Sequence, residues 1–193
     1  MIAGKTVLAI IPARGGSRRA PDKNLTLFRI GTEHDSLVGW AQKHAFSSRY
    51  VDRTVLVSDS PSILRHARAP TVALPEPGFL AGPLVPMEAV LAFTLYASTQ
   101  LGEPALPFHD LFVLLQPTSP YRTSSDIDAA LELSVQTAGG VISCRPDRSR
   151  NGALYVQHTE TFLARLTLDC GHPYVMPEAQ SLDIDYPEDF KTA

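Results

Sequence analysis

This chain of 193 residues has few cysteines, no long apolar run and no large excess of either positive or negative charge. Its two cysteines, Cys144 and Cys170, are too few for a disulfide framework or a cysteine-rich metal site, so we expect reduced thiols. A formal net charge of −3 argues against a nucleic-acid partner. No apolar run reaches the roughly 20 residues that cross a bilayer, and residues 1–11 lack the layout of a signal peptide. We therefore expect a cytoplasmic protein without a membrane partner.

Short apolar runs alternate with amphipathic segments along the chain, which predicts strands that alternate with helices. The predicted strands are residues 6–11, 54–58, 71–74, 111–116, 140–144 and 153–157. The predicted helices are residues 36–46, 60–67, 86–100 and 125–135, and loops are predicted at 70–86 and 102–107. This alternation favours a three-layer α/β/α fold with a mostly parallel sheet, and a chain of 193 residues fits one domain.

The segment IIPARGGSRRAPDKNL, at residues 10–25, follows the first predicted strand. A strand that ends in Gly15 and Gly16 turns sharply and exposes successive backbone N–H groups to an anion. Arg14 and Lys23 add positive charge around that turn, and a guanidinium group matches phosphate oxygens in pairs. The pattern predicts a triphosphate-binding loop at the carboxyl end of the strand, where open α/β sheets bind ligands.

The same loop also has a plainer interpretation as an ordinary basic turn, since it has neither the Walker A spacing nor a dinucleotide fingerprint. For Arg18 and Arg19 we favour a solvated surface for at least one of the two. Ser17 and the amides of Gly15 and Gly16 would complete the cradle, and Asn24 is expected to orient the loop.

Asp183 and Asp185 lie two residues apart, so in an extended segment both side chains face the same side. Two carboxylates on one face suit Mg²⁺, which takes a few carboxylates together with substrate phosphates. A solvated acidic turn is the alternative, and these two residues alone favour it. Glu188 and Asp189 fit the first turn of a helix.

The turn QPTSP, at residues 116–120, follows the strongest predicted strand. Its prolines fix the turn and present Gln116, Thr118 and Ser119 to a pocket, and Arg122 suits a carboxylate or a phosphate. The alternative is a rigid strand-to-helix connection, and the two interpretations are compatible.

Two further turns carry weaker signals. Asn151 before Gly152 is typical of a hairpin or strand-entry turn, because this pair tolerates a positive φ. Ser58 and Asp59 follow the second predicted strand and reach at most the rim of a pocket.

Four segments resemble, in the same order, the signatures of the CMP-sialic acid synthetases (acylneuraminate cytidylyltransferases). They are IPARGGS with a following KN, then LLQPTSPYR, NGALY and SLDIDYPEDF, which together span nearly the whole chain. The resemblance implies a Rossmann-like, GT-A-like nucleotidyltransferase fold. It also implies an Mg²⁺-dependent enzyme that transfers CMP from CTP to an acidic sugar (sialic acid or a related nonulosonic acid) and releases pyrophosphate.

The resemblance further implies roles for individual residues. Catalytic roles fall to Arg14, Lys23 and Asp185, and metal ligation to Asp183 and Asp185. Nucleotide binding is expected of Ala13, Arg14, Gly15, Gly16, Ser17, Lys23 and Asn24. Substrate binding is expected of Gln116, Thr118, Ser119, Arg122, Arg150, Asn151 and Tyr155, with Arg148 as an alternative to Arg150.

The chain departs from that family in its acceptor region. An excursion that builds the family's dimer is expected near residues 145–150 and is largely absent, which predicts a monomer or a different dimer. The arginines of an Arg-Arg-Pro element are missing from residues 74–77, and residues 80–86 lack the usual polar side chains. Two alternatives therefore stay open: a cytidylyltransferase for another acid, such as an octulosonate or a phosphonate, and a non-catalytic nucleotide-binding protein.

Overall fold

A seven-stranded sheet forms the centre of the molecule in a computed structural model that describes residues 1–17, 20–100 and 108–191. Its strands follow one another in the spatial order β5-β4-β1-β6-β8-β7-β9, and a separate hairpin pairs β2 with β3. The strands are β1 (Val7–Pro12), β2 (Leu27–Ile30), β3 (Glu33–Ser36), β4 (Arg53–Ser58), β5 (Val72–Pro75), β6 (Leu111–Leu115), β7 (Val141–Cys144), β8 (Arg150–His158) and β9 (His172–Val175).

The sheet is mostly parallel, as the sequence predicts. Strands β5, β4, β1 and β6 pair in parallel, and so do β7 and β9, whereas β8 runs antiparallel to both β6 and β7. The carboxyl ends of the four parallel strands therefore meet at one edge, and the loops that leave this edge lie side by side.

Helices cover both faces of the sheet. They are α1 (Leu37–Ser47), α2 (Pro61–Leu64), α3 (Met87–Gln100), α4 (Ser124–Thr137) and α5 (Thr159–Arg165). Short 3₁₀ turns occupy Lys23–Leu25, Glu178–Gln180 and Pro187–Lys191. None of the helices in the described part of the chain is long and apolar enough to cross a membrane.

Two apolar cores result, one on each face, because successive residues of a strand point to opposite faces. In β1, the side chain of Ile11 joins the core that contains Val38 of α1 and Ile127 of α4, and Ile10 joins the core that contains Leu91 of α3. This double burial explains why the β1 sequence is apolar throughout.

A smaller cluster docks the C-terminal segment onto the β2–β3 hairpin. Ile184 is buried there with Phe28, Leu37 and Trp40, and the Trp40 indole N–H donates to the Phe28 carbonyl at 2.9 Å. The hairpin thus holds the residues on either side of Ile184 against the main sheet.

Helix starts follow ordinary capping chemistry. Ser36 caps α1 by accepting from the Gly39 amide at 3.1 Å. Thr123 and Asp126 form a capping box at the start of α4. The helix begins at Ser124, one residue before the predicted start at residue 125. The predicted connection at residues 102–107 lies outside the described residues, as do Arg18 and Arg19.

The interpretation of Asn151-Gly152 as a turn is wrong, because both residues lie inside β8. Gly152 does have a positive φ of 73°, but it adopts this conformation inside the strand, where the pairing of β7 with β8 is irregular. The chain reverses earlier, where the Arg145 amide donates to the Ser149 carbonyl at 2.8 Å. The polar hairpin β2–β3, the helix α5 and the edge strand β9 have no counterpart in the sequence prediction.

Candidate active site

A cavity of about 520 Å³ opens at the carboxyl edge of the parallel strands. The loops after β1, β5 and β6 form its walls, and the C-terminal segment closes one side. Nine of the predicted site residues line this cavity: Ala13, Arg14, Ser17, Lys23, Asn24, Gln116, Thr118, Asp183 and Asp185. Residues separated by up to about 170 positions in the sequence thus face one space, because the sheet brings their strand ends together.

The loop after β1 is pinned against the loop after β4. The Gly15 amide donates to the Asp59 carboxylate at 2.7 Å, and the Ser17 amide donates to the Gly15 carbonyl at 3.0 Å. A Cβ atom on Gly15 would lie 2.8 Å from the Cβ of Ser60, whereas one on Gly16 would meet nothing within 4 Å. Gly15 is therefore required by a close approach between the two loops.

This arrangement corrects the expectation that the amides of both glycines face an anion. The Gly15 amide is occupied by Asp59, so of the two glycine amides only that of Gly16 has no hydrogen-bond partner among the described residues. Asp59, which the sequence placed at most on the rim, is instead the residue that sets the shape of the loop.

Lys23 and Asn24 belong to the first 3₁₀ turn, and each ties the turn to a different part of the site. Asn24 is buried, and its side-chain amide donates to the Arg14 carbonyl at 3.0 Å. The Lys23 ammonium group donates to the Asp185 carboxylate at 2.8 Å and to the Ile184 carbonyl at 3.2 Å. The turn consequently joins the cationic loop to the acidic segment.

The acidic segment has the alternation that an extended backbone predicts. Ile184 points into the hairpin cluster, and its amide donates to the Thr118 carbonyl at 2.7 Å, while Asp183 and Asp185 both face the cavity. Ser119 is buried and its hydroxyl donates to Asp183 at 3.4 Å. Burial raises the pKa of Asp183, the nearby charge of Asp185 adds to that rise, and a hydrogen bond with Thr118 opposes it.

Asp183 and Asp185 bring two carboxylates to one face of the cavity. No group of three or more His, Cys, Asp or Glu side chains with metal-binding geometry occurs in the described ranges. Asp183 and Asp185 nevertheless fit a hard divalent cation that completes its shell with phosphate oxygens and water. A cation between them would also offset the cost of burying the Asp183 anion.

Five predicted substrate residues do not line the cavity: Ser119, which contacts Asp183, and Arg122, Arg150, Asn151 and Tyr155. Arg122 is completely buried, and its Nη1 donates to the carbonyls of Gln116 at 3.2 Å and Ala153 at 2.6 Å. Burial lowers its pKa to about 10. Arg122 thus fixes the backbone beneath Gln116, which does line the cavity, and the buried guanidinium group itself does not reach a ligand there.

Asn151 is buried as well and acts as a connector. Its carboxamide oxygen accepts from the Ser143 hydroxyl at 2.6 Å, and its nitrogen donates to the Ser181 hydroxyl at 3.0 Å. These bonds hold the strand pair β7–β8 to the start of the acidic segment. Arg150 is exposed and pairs with Asp169, and Tyr155 packs against the core that contains α3, so neither lines the cavity.

Glu76 is a cavity residue that sequence reasoning missed. It follows β5 directly, and its amide donates to the Ser58 carbonyl at 2.8 Å. Only 9% of the residue is exposed, and burial raises the pKa of its carboxyl group, with the charge of Asp59 as a second cause. In the sequence, its position between two prolines indicates a loop, and nothing there indicates that the side chain is buried.

Comparisons with known proteins show which family this chain is similar to. A family model described as cytidylyltransferase matches residues 8–73. A CMP-N,N'-diacetyllegionaminic acid synthase of Legionella pneumophila is 30% identical over 142 residues, which cover 72% of this chain and 58% of that protein. The chain therefore spans less than two thirds of the length of this relative.

Solved structures share the whole fold. A CMP:2-keto-3-deoxy-manno-octonic acid synthetase complexed with CTP has a TM-score of 0.69 at 13% identity, and the match covers 97% of this chain and 96% of that one. A protein of Mycobacterium tuberculosis in complex with manganese has a TM-score of 0.64 at 15% identity, with 97% of each chain covered. At such identities the likeness is one of fold.

Proposed function

This chain belongs to the cytidylyltransferase family, among the members that resemble the CMP-sialic acid synthetases, and from that premise we propose that it transfers CMP from CTP to an acidic sugar. The observation that carries the proposal is the meeting of a cationic loop and a pair of carboxylates in one cavity. Arg14 and Lys23 line this cavity together with Asp183 and Asp185, and Lys23 pairs directly with Asp185. Nucleotidyl transfer needs this combination, because the reaction depends on positioning and on neutralising charge around phosphorus.

Arg14, Ser17 and the free amide of Gly16 are the groups that would bind the triphosphate. Lys23 would join them, since its ammonium group already lies on the cavity wall next to Asp185. Ala13 and Asn24 hold the loop in shape, the latter through its bond to the Arg14 carbonyl. An incoming triphosphate would bring further negative charge to Arg14 and would share Lys23 with Asp185.

Asp183 and Asp185 would hold Mg²⁺, and the manganese complex of the structural neighbour supports a divalent metal in this fold. Bound there, the ion would withdraw charge from the phosphate oxygens of the nucleotide. Asp183 must be ionised to act as a ligand, so its raised pKa makes metal binding weaken at acid pH.

The reaction is a displacement at the α-phosphorus. A hydroxyl oxygen of the acid forms the new P–O bond, the bond to the β-phosphate oxygen breaks, and pyrophosphate leaves. The hydroxyl proton passes to water or to a neighbouring carboxylate, for which Asp185 is placed. Gln116 and Thr118, on the wall after β6, are the residues of this chain best placed to meet the acceptor.

The name of the Legionella synthase favours a nonulosonic acid as the acceptor, whereas the CTP-bound structural neighbour is named for an octonic acid. The short connection at residues 145–149 supports a single domain that is a monomer or forms a weak dimer through another surface. A cytoplasmic location is part of the same proposal.

An acceptor screen tests the proposal. The protein is incubated with CTP, Mg²⁺ and each of a panel of nonulosonic, octulosonic and smaller phosphonic acids, and the mass of a CMP conjugate is sought. One conjugate together with an equal amount of pyrophosphate identifies both the reaction and the acid. CTP binding without any conjugate would instead favour a nucleotide-binding protein without turnover.

A further inference from the structure

A continuous series of hydrogen bonds runs through Asn151 in the interior of the protein. The Leu154 amide donates to the Ser143 hydroxyl at 2.9 Å, and that hydroxyl donates to the Asn151 carboxamide oxygen at 2.6 Å. The Asn151 nitrogen donates to the Ser181 hydroxyl at 3.0 Å, and that hydroxyl donates to the Pro177 carbonyl at 3.0 Å. Each hydroxyl therefore accepts one bond and donates one, which fixes the direction of the whole series.

The carboxamide of Asn151 has no bonding capacity left for a substrate. Its oxygen accepts a second bond, from the Ala153 amide at 3.1 Å, and its nitrogen also donates to the Met176 sulfur at 3.4 Å. Two acceptor positions and two donor hydrogens are all that a carboxamide offers. Only 5% of the residue is exposed. A polar group that is buried and fully paired in this way holds its neighbours in one arrangement.

The series ends two residues before Asp183. Ser181 is 2% exposed and anchors the chain on one side of that carboxylate. On the other side, the Ile184 amide is anchored by its bond to the Thr118 carbonyl at 2.7 Å. Asp183 thus lies in a short stretch of backbone that is fixed at both ends, and the loss of either anchor lets it move.

Asp185 is held by a different set of contacts. Its carboxylate accepts from the Lys23 ammonium group at 2.8 Å, and its amide donates to the Asp189 carboxylate at 2.8 Å. None of these bonds involves Asn151 or Ser181. Loss of the Asn151 anchor therefore moves one carboxylate of the pair relative to the other.

We propose that Asn151 and Ser181 are positioning residues that hold Asp183 at the distance from Asp185 that a divalent cation requires. Mg²⁺ demands nearly ideal octahedral geometry, so a displaced carboxylate binds it more weakly. The proposal rests on the proposed function insofar as it takes Asp183 and Asp185 as metal ligands. It gives Asn151 a role other than the contact with the acid that the sequence resemblance implies.

The metal dependence of CTP binding tests this assignment without any turnover. The affinity for CTP is measured calorimetrically in EDTA and again with excess Mn²⁺ as the probe ion, with no acid present. Mn²⁺ should strengthen CTP binding by the wild-type protein. Asn151→Ala should reduce the affinity for CTP with Mn²⁺ by about tenfold or more, the usual effect of losing a group that orients a metal ligand. Its affinity for CTP in EDTA should stay within about threefold of wild type.

A second variant removes the same bond from its other end. Ser181→Ala should lose the same part of the Mn²⁺ effect, and the double variant should be only about as weak as the weaker single variant, because both changes break one connection. Ser181→Ala also keeps the test available if Asn151→Ala does not fold.

Ser134→Ala is the matched control. Ser134 is completely buried, and its hydroxyl donates to the Gly139 carbonyl at 2.7 Å. Gly139 precedes β7, which runs parallel to β6, so this bond lies at the edge of the sheet opposite to the cavity. The control should lower stability to urea in the same way as Ser181→Ala and leave the Mn²⁺ effect unchanged.

The possible outcomes separate this proposal from the proposed function. An unchanged Mn²⁺ effect in both Asn151→Ala and Ser181→Ala overturns the positioning role and leaves CMP transfer intact. A raised KM for the acid with an unchanged Mn²⁺ effect returns Asn151 to substrate binding and also overturns it, as does an equal loss in the Ser134→Ala control. A selective loss of the Mn²⁺ effect in a protein that forms no CMP conjugate supports the positioning role and refutes the transfer reaction. A wild-type protein whose CTP affinity does not respond to Mn²⁺ refutes the metal site and this proposal together.

Discussion

Replacing Gly15 by alanine tests whether the loop after β1 must pack against the start of α2 to be functional. The added Cβ would lie 2.8 Å from the Cβ of Ser60 and 3.3 Å from its hydroxyl oxygen, closer than unbonded atoms normally approach. Since both contact atoms sit near the backbone, the loop itself has to move. The shift would also stretch the 2.7 Å bond between the Gly15 amide and Asp59.

Overpacking of this kind costs about 1–3 kcal/mol, and we expect Gly15→Ala to lower the free energy of unfolding by that amount. The loop displacement should also weaken CTP binding, because Arg14 and Ser17 flank the altered residue. Gly16→Ala is the matched control: its Cβ meets nothing within 4 Å, so its stability should stay within about 0.5 kcal/mol of wild type.

Urea denaturation and calorimetric CTP titration of the two variants provide the assay. The reasoning fails if Gly15→Ala is as stable as Gly16→Ala and binds CTP equally well. It also fails if Gly16→Ala lowers stability and CTP affinity more than Gly15→Ala does. That result would mean that the close approach to Ser60 is not what requires a glycine in this loop.

Three further expectations concern other parts of the molecule. Burial, together with the positive charges of Arg122 and Lys43, lowers the pKa of His44 to about 3. As the pH is lowered, the unfolded chain therefore takes up the His44 proton before the folded chain does. The free energy of unfolding should then fall by up to about 1.4 kcal/mol per pH unit between pH 6.5 and 3. His44→Gln should remove this part of the pH dependence, as measured by urea denaturation. Lys23→Met should keep the fold and lose at least about tenfold in CTP affinity by titration. Sedimentation at low concentration should find a monomer, and a tight dimer there would show that a surface other than residues 145–149 mediates assembly.

Local rules made much of the site predictable. The period of two along an extended backbone placed Asp183 and Asp185 on one side, and the structure adds only that Ile184 anchors the segment. The apolar sequence of β1 and the glycines after it likewise foretold a loop at the carboxyl edge of a parallel sheet.

Contacts between distant segments were beyond the reach of the sequence. Arg122 looks like an anion-binding residue in one dimension, yet the fold covers it completely and turns it toward two backbone carbonyls. The Gly15 amide looks free in the sequence, whereas in the fold it donates a hydrogen bond to Asp59, 44 residues further along the chain. Glu76 looks like an ordinary loop acid in the sequence, because its neighbours give no sign that its amide meets the end of β4 and that it lines the cavity.

Weak patterns account for the missed elements. The hairpin strand Glu33–Ser36 is polar and largely exposed, and the edge strand His172–Val175 has no fully buried side chain, so neither shows an apolar signal. The beginning of β8 was read as a turn because Asn-Gly favours one, whereas Gly152 uses its positive φ inside the strand.

The measurement that tests the central claim most directly compares pyrophosphate release by the wild-type protein and by Asp185→Asn, with Mg²⁺, CTP and the acid found by the screen. Asp185 lines the cavity next to Lys23, and the substitution keeps its size while removing its charge. We predict steady release by the wild type and a loss of about a hundredfold or more in the variant, with the fold unchanged. Activity of the variant within a few-fold of wild type would contradict the account, as would a wild-type protein that binds CTP and releases no pyrophosphate with any acid.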